Sequence, residues 1–190
     1  AGMSSPDCSN VSVIGSFVKG FEARAGKVQV LPDGRIMLAG LHYENTHRTL
    51  PALALFDANG QPDQRFGADG FQVVRLPGEL SIGTRDNWLP PGVPGVEACD
   101  FAVQEDGHIL LIANHHFSLA DHAGMLIRLE PDGGLDQSFN GRGFVMVRHL
   151  LLNTWLSTLL LKQDGRIVVA GSIDFPQQGL LAVYRPDGSL

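Results

Sequence analysis

Short apolar runs, each closed by a turn signal, recur along this chain. "RIMLA" (35–39), "HILLIA" (108–113) and "RIVVA" (166–170) each follow an Asp-Gly pair: Asp33-Gly34, Asp106-Gly107 and Asp164-Gly165. Asp-Gly between apolar runs signals a hairpin with a type I′ turn, which needs positive φ at both central residues. The runs do not alternate apolar with polar, so the strands they predict are covered on both faces. A second apolar run follows in each case: "ALALF" (52–56), "MLIRL" (125–129) and "LLAVY" (180–184). It ends at a second turn, "DANG", "EPDG" or "RPDG". Then come "DQRFG" or "DQSFN" and a further run, "GFQVV" or "GFVMV". The pattern predicts four short strands per unit, three times over.

The spacing is regular apart from one connection. Asp33 to Phe66 is 33 positions, and so is Asp106 to Phe139. Phe66 to Asp106 is 40 positions, whereas Phe139 to Asp164 is 25, so one joint carries 15 extra residues. The repeats are assigned to residues 25–76, 97–148 and 154–190, with an insertion at 77–96 and an N-terminal segment, 1–24, able to complete a unit. Gly40, Asn114 and Gly171 align as one position, and Gly67 and Asn140 as another. Gly and Asn best tolerate left-handed backbone, so positive φ is expected at both. Phe66 and Phe139 read as apolar plugs that pack one unit on the next.

A four-stranded sheet with two apolar faces must bury both against neighbours. The fold class that follows is all-β and β-propeller-like, with about three four-stranded blades per chain. Three blades do not close a ring, so a second chain or further blades would complete it. "LPDGRIMLAG" followed by "ALALFDANGQPDQRFGADG" resembles the delta-60 repeat, a bacterial propeller-type repeat, and all three copies carry the likeness from about residue 25 to 190. The resemblance implies a propeller, often in exported or surface proteins of bacteria, and no shared catalytic residues. The expected location is therefore secreted, periplasmic or cell-surface. The chain departs from the pattern in its insertion, in Glu105 and His108 at the second Asp-Gly turn, and in stopping before a third "DxSFG".

Composition narrows the choice of partners. The chain has 190 residues, 44% of them hydrophobic and 18% charged, which is a core-forming mixture. The net charge of −6 and the lack of a basic run argue against nucleic acid. No apolar run reaches the length of a membrane span: the longest candidate, 150–161, is broken by Asn153, Thr154, Ser157 and Thr158. No charged segment followed by an apolar one marks a signal peptide at the start of the sequence. Cys8 and Cys99 either pair, closing a long loop worth on the order of 4 kcal/mol, or remain separate thiols.

Candidate chemistry is sparse. His115, His116, Asp121 and His122 fall within eight residues, and imidazoles with a carboxylate are zinc-ligand types. Against this, no pair has a metal-motif spacing, and a solvated polar loop gives the same residues. Asp57, Asn59 and Asp63, with Glu130, Asp132 and Asp136 in the second copy, resemble part of a calcium loop. Turn capping explains them equally, and Arg185 opens the third copy. The insertion holds Arg85, Asp86, Asn87 and Trp88, the best ligand-binding candidates, because a long loop on a rigid scaffold commonly carries function. Trp88 is placed either to stack on a ligand or to pin the loop. No nucleophile, phosphate-loop or dinucleotide motif is present. The reading is a non-catalytic binding or interaction scaffold, with no cofactor expected. Its partner would be a protein or a glycan, or a second copy completing the ring as a homodimer. Two alternatives remain: an enzyme with a polar, metal-assisted pocket at the propeller axis, and a purely structural segment of a larger surface protein.

Overall fold

The computed structural model describes residues 23–45, 48–77, 96–118, 121–148, 152–174 and 177–190. The chain is all-β there, in three antiparallel sheets that do not close on themselves. Sheet 1 is β1 (Ala23–Val30), β2 (Ile36–Asn45), β3 (Arg48–Phe56) and β4 (Phe71–Val73), paired in that order. Sheet 2 repeats it with β5 (Val96–Val103), β6 (Ile109–Ser118), β7 (Asp121–Leu129) and β8 (Phe144–Val147). Sheet 3 has three strands: β9 (Thr154–Leu161), β10 (Ile167–Ile173) and β11 (Gln178–Tyr184). The stretch that was tested as a membrane span thus holds a strand. Among the described residues no helix is long and apolar enough to cross a membrane.

The hairpins are built by one device, and it is not the expected type I′ turn. Gly34 N donates to Leu31 O (2.9 Å), and Leu31 N donates to Arg35 O (2.7 Å). The second and third copies do the same through Gly107 and Gln104 and through Gly165 and Lys162. These are three-residue loops, a turn closed by a left-handed residue. Positive φ falls only on the glycine (86°, 90° and 80°), while Asp33, Asp106 and Asp164 stay at negative φ. Each aspartate instead accepts from the amide two residues on: Arg35 N, His108 N and Arg166 N, all at 3.1 Å. The Asx bond thus does the work that a second left-handed residue would do.

Two other expectations separate. Gly67 and Asn140 do have positive φ, 53° and 51°. Gly40, Asn114 and Gly171 do not, and they are not one position. The ladder pairs Gly40 with Ala25, Ala113 with Ala98 and Gly171 with Leu156, so Ala113 rather than Asn114 matches the glycines. Each of these three lies beside a register shift in the first strand of its sheet, at Ala25/Lys27, Ala98/Asp100 and Leu156/Thr158. At Gly171 the need is close approach, since a Cβ would stand 1.8 Å from Trp155 O. Asn114 has a separate task, described below.

Apolar side chains fill the two spaces between sheets. Met37, Ala39, Leu53 and Leu55 of sheet 1 meet Phe101, Ile109, Leu111, Met125 and Ile127 of sheet 2. Leu110, Ile112, Leu126 and Val147 on the opposite face of sheet 2 meet Leu156, Leu159, Ile167 and Val169 of sheet 3. Sheet 2 is therefore covered on both faces, as its unbroken apolar runs predict.

Each space is closed by the same joint. Phe66, 1% exposed, lies over Gly133 in the second turn of sheet 2, where a Cβ would come 3.0 Å from its ring. Phe139, fully buried, lies over Gly188 of sheet 3 in the same way, at 2.8 Å. The next residue completes each joint: Gly67 N donates to Asp132 O, and Asn140 N donates to Asp187 O, both at 2.8 Å. Left-handed φ at Gly67 and Asn140 turns the chain back behind each ring, where Gly70 N and Gly143 N donate to Phe66 O and Phe139 O. The phenylalanines are the plugs that the sequence predicts.

Gly60 occupies the corresponding turn of sheet 1, at φ 80°, and no described atom would meet a Cβ there within 4 Å. Alanine at Gly60, Gly133 or Gly188 carries the same left-handed strain of about 1–2 kcal/mol. Gly133→Ala and Gly188→Ala must also displace a phenylalanine ring, at an additional cost of roughly 1–3 kcal/mol. Urea midpoints should therefore fall further for Gly133→Ala and Gly188→Ala than for Gly60→Ala. Three equal losses would show that the rings do not hold the sheets together.

Candidate functional site

One set of polar residues that reach between sheets lies on the strand positions that follow the register shifts. A bulge re-aims the side chain beside it, and here it aims Lys27, Asp100 and Thr158 across the spaces. These three are one repeat position, 73 and 58 residues apart. Lys27 Nζ donates to Asp100 Oδ1 and also to Phe101 O (2.9 Å). Thr158 Oγ1 (2.8 Å) and Leu159 N (2.9 Å) donate to Asp100 Oδ2. One carboxylate thus joins the first strands of all three sheets. Burial pushes the Asp100 carboxyl up, but Lys27, Leu159 N and Thr158 outweigh it and hold the group below the ordinary aspartate value. A buried charge with this many partners is costly to unpair.

The histidine segment belongs to a second seam, between sheets 2 and 3. His115 is 1% exposed, inside β6. His116 and His122 are cross-strand partners in the β6–β7 ladder, and Asp121 pairs with Ser118. His122 Nε2 donates to Asp174 Oδ2 of sheet 3 (2.9 Å), and its ring meets Trp155 edge-on at 5.8 Å. Asn153 Oδ1 accepts from His122 N (3.1 Å), and Thr154 Oγ1 accepts from Gly124 N (3.0 Å) while donating to Val147 O. Asn114, fully buried, donates through Nδ2 to Leu156 O (2.9 Å) and accepts from Leu156 N (2.8 Å). Its amide pairs with β9 as a strand backbone would. The structure thus places His115 in the interior and His122 in the contact between sheets 2 and 3. Arg85, Asp86, Asn87, Trp88 and Cys8 lie outside the described residues, and Cys99 belongs to β5.

The suspected calcium ligands cap turns. Asp57 Oδ1 accepts from Asn59 N (2.9 Å) and Gln61 N (2.8 Å). Asp132 Oδ1 accepts from Gly134 N, and Asp136 Oδ1 from Ser138 N. Asp63 is held by Arg65 through Nε and Nη2 (both 3.0 Å) and by Arg35 Nη1 at 3.4 Å.

Among the described residues one trio has metal-ligand types within reach of one another: His108, Glu130 and Asp136. His108 Nε2 lies 3.1 Å from Glu130 Oε2 and 3.8 Å from Asp136 Oδ2, and His108 Nδ1 lies 3.1 Å from Asp106. Arg128 Nε occupies the same Asp136 oxygen at 2.5 Å. His108 holds the repeat position of Arg35 and Arg166. The trio therefore stands where the other copies place an arginine, and a metal ion would have to displace the Arg128 guanidinium from Asp136.

Sheets 1 and 2 leave a cleft of about 520 Å3 at their turns, lined by Asp33, Arg35, Asp63, Arg65, Phe66 and Asp132 among others. Two of its carboxylates are paired, Asp33 with Arg35 at 2.7 Å and Asp63 with Arg65, and Asp132 accepts from Gly134 N. Leu55 lines this cleft, and its repeat equivalent is Arg128. Arg128 crosses to Pro186 O (2.7 Å) and lies 4.8 Å over the Phe139 ring. Sequence reading missed this arginine, the Lys27–Asp100–Thr158 link and the Asn114 bridge. The link had a signal, because all three residues share one repeat position. The Asn114 bridge had none, since it depends on which face of β6 the amide takes.

Neither a family model nor a curated protein matches this chain.

Acid should loosen the joints in a defined window. The hydrogen bonds from Arg65 draw the Asp63 carboxyl down from 3.8 to about 2, against burial, with Arg35 assisting. A depressed folded value means that the stabilisation is complete above the unfolded value and is lost as pH falls through the folded one. Thermal midpoints of the native chain should therefore decline on acidification from 3.8 towards about 2. Asp63→Asn should lower the midpoint at neutral pH and flatten this part of the profile. An unchanged profile in the variant would refute the assignment.

Proposed function

We propose that the chain is a non-catalytic interaction scaffold of the delta-60, propeller-like kind, working at the bacterial envelope and binding a protein or a glycan. One observation supports it above the others: the sheets at the two ends carry the largest exposed apolar side chains. On sheet 1 these are Val28 (63%) and Val30 (66%), and on sheet 3 Leu160 (65%), Leu181 (72%) and Val183 (39%). Their repeat equivalents are buried where a neighbouring sheet is present: Phe101 and Leu159 for Val28, Leu53 and Leu126 for Leu181. Contiguous apolar exposure of this kind marks an association surface.

Both faces belong to one chain, and they are the two unlike sides of one contact. A head-to-tail pair of copies would bring them together, and a heterologous contact of this type closes into a ring when its rotation permits. A homodimer completing a ring of six sheets is the form this reading favours. The candidate residues of the insertion, Arg85 to Trp88, would then serve as a ligand-binding loop on that scaffold.

Sedimentation velocity tests the reading. The mass of the native chain should rise with concentration, and Leu181→Asp, at an exposed position, should keep it monomeric without altering its circular dichroism. A native chain that remains a monomer at every soluble concentration would overturn the association.

A further inference from the structure

Sheet 1 presents one side of a joint that the molecule builds twice elsewhere. At the two complete joints the receiving turn offers a buried glycine, Gly133 or Gly188, beneath a phenylalanine ring. It also offers the carbonyl of the residue before, Asp132 or Asp187, to the amide that follows the ring. Gly60 holds the same place in sheet 1, with Asn59 before it, and both are exposed. Gly60 N donates to Asp57 O at 3.0 Å, as Gly133 N does to Glu130 O and Gly188 N to Arg185 O at 2.9 Å, so the receiving turn is already formed. Beside it, Val28 is 63% exposed where Phe101 and Leu159 are 0% and 3%.

We infer that this turn is a socket for the Phe-Gly or Phe-Asn turn of a further repeat of the same kind. The ring would lie on Gly60, and the amide of the next residue would donate to Asn59 O. The inference rests on the reading of the terminal faces as association surfaces and names what one of them takes. Two features specify the occupant. The ring needs a flat floor without a Cβ, which Gly60 supplies. The residue after the ring must take left-handed φ so that the chain turns back behind it, as Gly67 and Asn140 do at 53° and 51°. Among the described residues, the bare trailing sheet of a second copy offers Leu160, Leu181 and Val183 but no such turn, because Phe66 and Phe139 are already seated in their own joints.

The test supplies the missing turn. Leu190 is the repeat equivalent of Leu135, so appending a copy of residues 136–147, "DQSFNGRGFVMV", after Leu190 continues the repeat in register. The extended chain should associate head to tail at a concentration at least about ten-fold lower than the native chain, a free-energy gain of about 1.4 kcal/mol. Replacing the phenylalanine of the graft by alanine should return association to the native level. Val28→Asp in the extended chain should do the same, with an unchanged circular dichroism spectrum showing that the fold survives. If the native and extended chains associate equally, or the alanine graft performs as well as the phenylalanine graft, bare sheets suffice and the socket is refuted, while the scaffold reading stands. If the native chain stays monomeric and only the phenylalanine graft associates, the socket stands and self-association of the native chain falls.

Discussion

A sheet that is apolar on both faces is stabilised by covering both, and the main features of the described residues answer that constraint. Sheet 2 satisfies it completely, with its two faces buried against sheets 1 and 3. The apolar contact alone is non-directional. The phenylalanine over a glycine, followed by an amide that donates across the joint, gives it a register. The same arrangement at Phe66–Gly133 and at Phe139–Gly188 means that each sheet is docked through its turn as well as through its strands.

Polar groups are fitted to the same purpose. Asp100 links three first strands, Asn114 replaces a stretch of backbone pairing, and His122 bridges to Asp174. These are residue types that would suggest catalysis or metal binding if read singly. Each one has partners on a neighbouring sheet, and those partners account for its position. Function on this framework is better sought at the terminal faces, where equivalents of core residues stand in solvent, and at the loops the framework carries.

Much of this was legible because the chain repeats itself. Strand order, the Asp-Gly hairpins, the plugs at Phe66 and Phe139 and the left-handed backbone at Gly67 and Asn140 all follow from comparing copies. What was not legible depended on one-residue register. Aligning Asn114 with Gly40 and Gly171 shifts it by one place, which exchanges the two faces of a strand. The turn type was misjudged because Asp-Gly suits both a two-residue and a three-residue loop, and the loop is the same whether Pro32, Glu105 or Gln163 precedes the aspartate, so that residue carries no signal. The His115–His122 segment read as a polar loop, solvated or ligand-binding, because sequence gives proximity along the chain; its residues lie in β6 and β7 instead, and the Asp174 and Trp155 contacts of His122 come from another sheet.

Amide hydrogen exchange at Gly67 and Asn140 is the most direct measurement of whether the repeated joint holds the sheets together. Both amides donate only across a sheet-to-sheet boundary, to Asp132 O and Asp187 O. The account requires both to be strongly protected in the native chain, and Phe66→Ala and Phe139→Ala to release Gly67 and Asn140 respectively while strand amides within each sheet stay protected. Exchange of either amide at the rate of an exposed loop, in the unmodified chain, would contradict it.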